Sequence, residues 1–227
     1  MNISINEPKN ENRDRLVLSK GHCSPALYAT LAERGFFEKE NLKTFRKIDS
    51  NLQGHPDMNK VIGVDMTSGS LGQGLSAANG MALAAKLDKK DYRVYCIVGD
   101  GEIEEGQIWE ACMTSSHYKL DNLCLIVDNN NLQIDGTVKD VMNIYPLREK
   151  FGSFGFEVFE VDGNNIDELV KVFEITRNIE QKPTAIIAKT TKGKGVSYME
   201  NNVKWHGKAP NEDEYKKAVL ELGDLKI

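Results

Sequence analysis

Between Val94 and Gly136 the chain alternates two apolar runs with two polar clusters, and no other stretch restricts the fold as much. Tyr92-Arg93-Val94-Tyr95-Cys96-Ile97-Val98 leads into Gly99-Asp100-Gly101; after a helix-length segment, Leu123-Cys124-Leu125-Ile126-Val127 leads into Asp128-Asn129-Asn130-Asn131. In a parallel sheet both clusters emerge at the same edge, where ligands of open α/β sheets bind. Asn130 lies thirty positions after Asp100. One carboxylate and one amide converging there suit a hard cation such as Mg²⁺, which prefers oxygen ligands and keeps room for phosphate oxygens. Gly101 lets the backbone turn tightly and approach a diphosphate closely. The competing reading is a pair of ordinary strand-to-loop turns. A lone Gly-Asp-Gly is a common turn, so the inference rests on the strand before it and the strand and Asn cluster after it.

The rest of the chain repeats the alternation. Ser24 to Arg34 reads as a helix, with Pro25 in its first turn and Gly35 just past its end. Glu38 to Phe45 is a shorter helical candidate. Leu52 to Gly74 is rich in glycine and turn residues, and an Ala-rich helix follows over Leu75 to Leu87. Strand 94–98, helix 106–118 and strand 123–127 come next, then a loop over 128–145 and a short helix near Pro146 to Phe154. Strands at 156–161 and 184–189 flank a helix at 167–179, and residues 1–14 are expected to be an irregular lead-in. Alternating strands and helices predict an α/β fold, a doubly wound and mostly parallel sheet with helices on both faces. With 227 residues and no repeats or linkers, the whole of 1–227 reads as one domain.

Charge and cysteine usage exclude several partner classes. A net charge of −5 argues against nucleic acid or an anionic membrane as the main partner. No apolar run approaches a membrane span, and the N-terminus does not resemble a signal peptide. Cys23, Cys96, Cys112 and Cys124 lack metal-finger spacing, and two of them sit inside apolar strands; reduced thiols and a cytoplasmic location are expected.

Other polar residues cluster in turns. Thr67-Ser68-Gly69-Ser70-Leu71-Gly72-Gln73-Gly74 precedes the Ala-rich helix, and its glycines permit a ligand to approach backbone N–H groups at a helix N-terminus. It is neither a dinucleotide-binding glycine motif nor a Walker loop, and the plainer reading is a flexible connector. Of the four histidines, His22, His55 and His206 are flanked by glycine, which suits a shared pocket, although a loop histidine is more often a surface residue. His117 falls at a helix end and reads as structural or solvent-facing. Glu102, Glu104 and Glu105 would ordinarily form a solvated helix start. Glu105 stands out because a buried carboxylate could polarise a ring nitrogen or bridge two subunits. Lys189, Lys192 and Lys194 lie among glycines after the last strand, either as a basic turn or as part of the site.

Taken in order, these motifs resemble those of transketolases. The stretches are Asn12 to His22, Gly54-His55-Pro56, Thr67 to Gly74, Gly99-Asp100-Gly101, Asp128 to Gly136, Lys192-Gly193-Lys194-Gly195 and Trp205 to Pro210. The likeness covers nearly the whole chain and is greatest to the N-terminal, small subunit of split transketolases, in which the diphosphate-binding and pyrimidine-binding domains are separate polypeptides.

The resemblance implies a thiamine-diphosphate-binding fold and a transferase that moves a two-carbon ketol unit from a ketose phosphate to an aldose phosphate, as in pentose phosphate chemistry. It implies thiamine diphosphate and Mg²⁺ as cofactors. Asp100, Asn130 and the backbone carbonyl of Leu132 would hold the metal. Gly69, Leu71 and Gly101 would line the cofactor, with Ile134 against it. His22, His55 and His206 would surround the reactive centre, and Glu105 would join the carboxylate contact between domain types. The implied partner is a pyrimidine-domain subunit, in a heterotetramer of two such chains and two partners. Transketolases normally carry a further N-terminal segment with Ser-Gly-His-Pro-Gly, which does not occur in this sequence. Related ketol or acyl transferases, such as deoxyxylulose-phosphate synthase or a specialised sugar transketolase, are the enzymatic alternatives, and a degenerate cofactor-binding module is the other. The Thr67 to Gly74 wording and the His206 context favour transketolase.

Overall fold

Five parallel strands form the centre of the protein in a computed structural model that describes residues 1–223. They are β1 (Arg15–Leu18), β2 (Val94–Gly99), β3 (Leu123–Asn129), β6 (Glu157–Asp162) and β7 (Thr184–Lys189), paired in the order β1-β2-β3-β7-β6. Two short antiparallel strands, β4 (Leu132–Gln133) and β5 (Gly136–Thr137), make a separate hairpin. The principal helices are α1 (Ser24–Glu33), α2 (Gln73–Leu87), α3 (Gly106–His117), α5 (Leu147–Ser153), α6 (Ile166–Thr176) and α7 (Glu212–Leu222); α4 (Val138–Val141) is a single turn.

Residue alternation along the strands explains the layering. Val94, Cys96 and Val98 point to one face of β2, and Tyr95 and Ile97 to the other. The first set joins Leu123, Leu125, Val127 and Ile187 in a core with α2, α3 and α5. The second set packs with Ile126, Ile186 and Val172 of α6, or with Leu27, Tyr28 and Leu31 of α1. The expected doubly wound sheet, with helices on both faces, is what forms. Ala78, Ala82 and Ala85 are fully buried, so the alanines of α2 let that helix lie close to the sheet.

The expected elements differ in detail. Helix α2 begins at Gln73, α6 stops at Thr176, and Lys39–Thr44 is a 3₁₀ helix rather than an α-helix. The region expected to be a loop over 128–145 contains the β4–β5 hairpin and α4, elements too short to show a period. Strand β1 and helix α7 have no counterpart among the expected elements. The strand is only four residues long, while α7 buries little besides Ala218 and is set by a capping box between Asn211 and Glu214. Among the described residues no helix is long and apolar enough to cross a membrane.

The lead-in is irregular, as expected, but it is tied down. Asp65, 8% exposed, pairs with the Arg13 guanidinium and also accepts the Leu16 backbone N–H at 2.8 Å. Asp14 accepts the Arg93 backbone N–H at 2.9 Å, which joins the entrance of β1 to that of β2. Removing one member of a buried ion pair leaves the other charge uncompensated. Asp65→Ala is therefore expected to destabilise the chain by about 3–5 kcal/mol in urea denaturation. An unchanged midpoint would show that this tie is not needed.

Candidate functional site

Parallel pairing delivers four segments to the C-terminal edge of the sheet: Ser19–His22 after β1, Asp100 after β2, Asn130 after β3 and Thr190–Lys192 after β7. Gly99 lies opposite Asp128 in the β2–β3 register, and Asn129 opposite Lys189 in β3–β7. The two polar clusters thus stand side by side, as the spacing predicted.

Asp100 is 2% exposed. Its Oδ1 accepts from the Gly101 N–H at 2.9 Å, and its Oδ2 from the Asn131 N–H at 2.6 Å and Asn129 Nδ2 at 3.2 Å. Burial raises its pKa against those hydrogen bonds, and the nearby Asp128 charge adds to the rise. It makes no ion pair among the described residues. Asn130 Oδ1 accepts the Leu132 N–H at 3.1 Å, which draws the β4 strand toward the Asn cluster. Beside them, Lys20 is paired with Asp128, which also accepts from the Thr190 hydroxyl. Burial is the largest single influence and opposes the Lys20 ammonium. The charge and hydrogen bond of Asp128, with smaller contributions from other neighbours including Asp100, together outweigh it, and the Lys20 pKa is raised.

No group of three or more His, Cys, Asp or Glu side chains able to hold a metal occurs among the described residues. A metal at this edge needs a mixed set of carboxylate, amide and backbone carbonyl. All-oxygen donors with a buried carboxylate lacking a counter-cation fit a hard divalent ion.

The glycine loop meets this edge closely. Gly72 has φ of +83°, a left-handed conformation that L side chains rarely adopt, and a Cβ there would lie 2.8 Å from the Glu105 Cβ. A Cβ on Gly74 would come within 2.4 Å of the Ser19 side chain. At Gly101 the constraint is space, since a Cβ would sit 3.2 Å from the Gln133 Cβ. Backbone thus runs where side chains would otherwise fill the cleft.

The three glycine-flanked histidines gather on the same side. The rings of His22 and His206 are 5.3 Å apart, and Lys192 Nζ lies 3.3 Å from His206 Nδ1. The His55 ring lies over Gly69, where a Cβ would meet its Cγ at 3.5 Å. His22 keeps solvent access, yet its pKa is pushed down to about 4 by burial and then by the charges of His206, Lys20, Lys192 and His55. Burial, with Lys192 and Lys20, also lowers that of His206. His117 is exposed and stacks edge-on with Tyr118 at the end of α3, apart from the other three.

The acidic run is organised differently from the expectation. Its buried carboxylate belongs to Glu102, 3% exposed, whose oxygens accept from the Ser19 hydroxyl and from the N–H groups of Gly72 and Gly99, both at 2.9 Å. Glu105 is exposed in this chain and makes no side-chain cap to α3. The 3₁₀ turn over Gly101–Glu104 folds Glu102 inward onto Gly99, three residues back. That reach resembles a capping box, the signal in Gly99-Asp100-Gly101-Glu102 that could have identified it. The Lys20–Asp128 pair has no such signal, because it joins residues far apart in sequence.

The assembled residues form an open edge, with His22, His55, Glu105 and Ile134 all exposed and Ile134, in the β4–β5 turn, at 69%. Two sizeable concavities lie elsewhere. One of about 500 Å³ adjoins Phe37, Ile48 and Leu52. The other, of about 1090 Å³, adjoins Asp14, Arg93 and Arg177 at the opposite edge of the sheet.

Comparison with known proteins agrees with this geometry. The family described as transketolase, thiamine diphosphate binding domain, matches residues 1–224. The chain is 45% identical to an apulose-4-phosphate transketolase subunit of Phocaeicola vulgatus, over 99% of this chain and 79% of that protein. It is 46% identical to the 6-deoxy-6-sulfo-D-fructose transketolase subunit SqwG of a Clostridium species, over 98% and 81%. Human transketolase is 48% identical over 92% of this chain but 33% of its own length. The crystal structure of Campylobacter jejuni transketolase superposes with a TM-score of 0.90 at 38% identity, covering 96% of this chain and 35% of that one. The chain thus spans about a third of full-length transketolases and about four fifths of the subunit relatives. It belongs to the transketolase family and carries that family's thiamine-diphosphate-binding domain.

Proposed function

We propose that this chain is the diphosphate-binding half of a thiamine-diphosphate- and Mg²⁺-dependent transketolase, completed by a pyrimidine-domain partner subunit. The observation that carries the reading is the convergence of a buried, unpaired carboxylate, an amide and three histidines on one sheet edge of a family member. Asp100, Asn130 and the Leu132 carbonyl would hold Mg²⁺ against the diphosphate. Gly69, Leu71 and Gly101 would line the cofactor, and the exposed Ile134 would find its apolar contact there. When bound, thiamine diphosphate supplies the electron sink for cleaving the C2–C3 bond of a ketose and passing its two-carbon unit to an aldose phosphate. His22 and His206, whose pKa values are lowered by burial and neighbouring cations, would together with His55 accept or donate protons at substrate hydroxyls. Lys20 and Lys192 would add positive charge beside them.

Glu105, exposed beside Gly72, would enter the contact between the diphosphate and pyrimidine domain types. The open edge supports an assembly in which the partner covers the site, in a heterotetramer of two chains of each kind. The named substrates of the subunit relatives carry a phosphate or a sulfo group. An anionic ketose is the donor class this favours, with the anionic end read by the partner. A cytoplasmic setting, with sugar phosphates and reduced cysteines, suits this role.

Three outcomes are expected. Asp100→Ala and Asn130→Ala should abolish Mg²⁺-dependent cofactor binding by the assembled complex while the circular dichroism spectrum stays native; unchanged affinity by calorimetry in both variants would overturn the metal assignment.

For the histidines, replacing His22, His55 or His206 should lower turnover by about 10²–10⁴-fold, with His117 nearly neutral. His22 should titrate near 4 by NMR. Because the folded chain resists its protonation, stability should decline as pH falls from about 6.5 toward 4. A His22 midpoint above 6.5 would reverse that sign.

Finally, ketol transfer should appear only when chain and partner are mixed. Full activity from the purified chain would refute a half-site.

A further inference from the structure

We propose that Glu102, buried beside the open edge, is the positioning residue that pre-forms this chain's half of the cofactor cradle. The inference rests on the function proposed above. Three segments that carry candidate site residues meet at its carboxylate. Ser19 precedes Lys20 and His22; Gly72 closes the loop that holds Gly69 and Leu71; Gly99 precedes Asp100. Oε1 accepts from the Ser19 hydroxyl and from Gly72 N–H at 2.9 Å, and Oε2 from Gly99 N–H at 2.9 Å. The Ser19 Oγ in turn accepts the Gly74 N–H at 3.1 Å, so the first turn of α2 is drawn into the same knot.

The chemistry demands a carboxylate. Three donors converge on one side chain, and only an ionised carboxylate offers acceptors at both terminal positions. A glutamine of the same shape carries an NH₂ at one of them. In one orientation that group faces the Gly99 N–H, and in the other the Gly72 N–H. Either way a buried backbone donor loses its acceptor. Asp100 has its own hydrogen bonds to Gly101, Asn129 and Asn131, which fix it to β3 but not to the glycine loop. Glu102 supplies that missing link. Holding the cradle before the cofactor arrives avoids the ordering that binding would otherwise demand.

The test measures Glu102→Gln beside Val172→Ala, a truncation of a 4%-exposed side chain in α6, on the other face of the sheet. Hydrogen exchange is followed on the purified chain, and thiamine diphosphate with Mg²⁺ is titrated calorimetrically into the assembled complex. Glu102→Gln should speed exchange selectively in residues 69–74 and 99–101 and weaken the cofactor Kd by about tenfold or more, while Val172→Ala lowers stability without either effect. Should Glu102→Gln fail to fold, Ser19→Ala, which removes one of the three partners, should give the same pattern in milder form. A Kd within twofold of wild type, or exchange that rises as uniformly as in Val172→Ala, would overturn the positioning role and leave Glu102 merely structural. A wild-type complex that takes up no cofactor would instead refute the proposed function, and this inference with it.

Discussion

Parallel hydrogen bonding between strands is the constraint on which the rest of the molecule depends. It forces every strand of the central sheet to end at one edge, so loops separated by scores of residues become neighbours there. It also obliges each crossover to lie against a face, which explains why both faces are apolar and why the strands read as nearly continuous hydrophobic runs. Polar residues left over from that arrangement have one place to collect. The registers of Gly99 with Asp128 and of Asn129 with Lys189 show how closely they are brought together.

The edge itself combines buried, fixed groups with exposed ones. Asp100 and Glu102 are buried and held by hydrogen bonds, and the half-buried Lys20 and Asp128 pair beside them. By contrast, the histidines and Ile134 keep solvent access in the isolated chain. Buried polar groups that are satisfied fix geometry at high stakes, because losing a partner in a low-dielectric setting is costly. The firm floor of the edge is thus built from buried, hydrogen-bonded groups, and its upper side is left open to solvent.

Much of this is legible from residues alone. Strands β2, β3 and β7 announce themselves through apolar runs of ordinary length, and α2 through its alanines. The Asp100 and Asn130 clusters follow directly from where such strands must end. What the residues do not announce is of two kinds. Very short elements, such as β1 and the β4–β5 hairpin, are held by tertiary contacts rather than by a periodic pattern. Glu102 departs from expectation because an acidic run at a helix start is normally solvated; its burial depends on Ser19, eighty-three positions away, and on Gly72, thirty positions away. The Lys20–Asp128 pair spans 108 positions and carries no local signal at all.

The tight approach of Ser19 to Gly74 has an evolutionary consequence. A side chain at position 74 would collide with position 19, and a residue without a hydroxyl at position 19 would strand the N–H of position 74. Glu102 ties both to a third site through the same hydroxyl. These positions cannot drift one at a time: a tolerated change at any of them has to arrive with, or after, a compensating change at another. Residues 19, 74 and 102 are therefore expected to change in concert across related sequences, as one inherited unit rather than three.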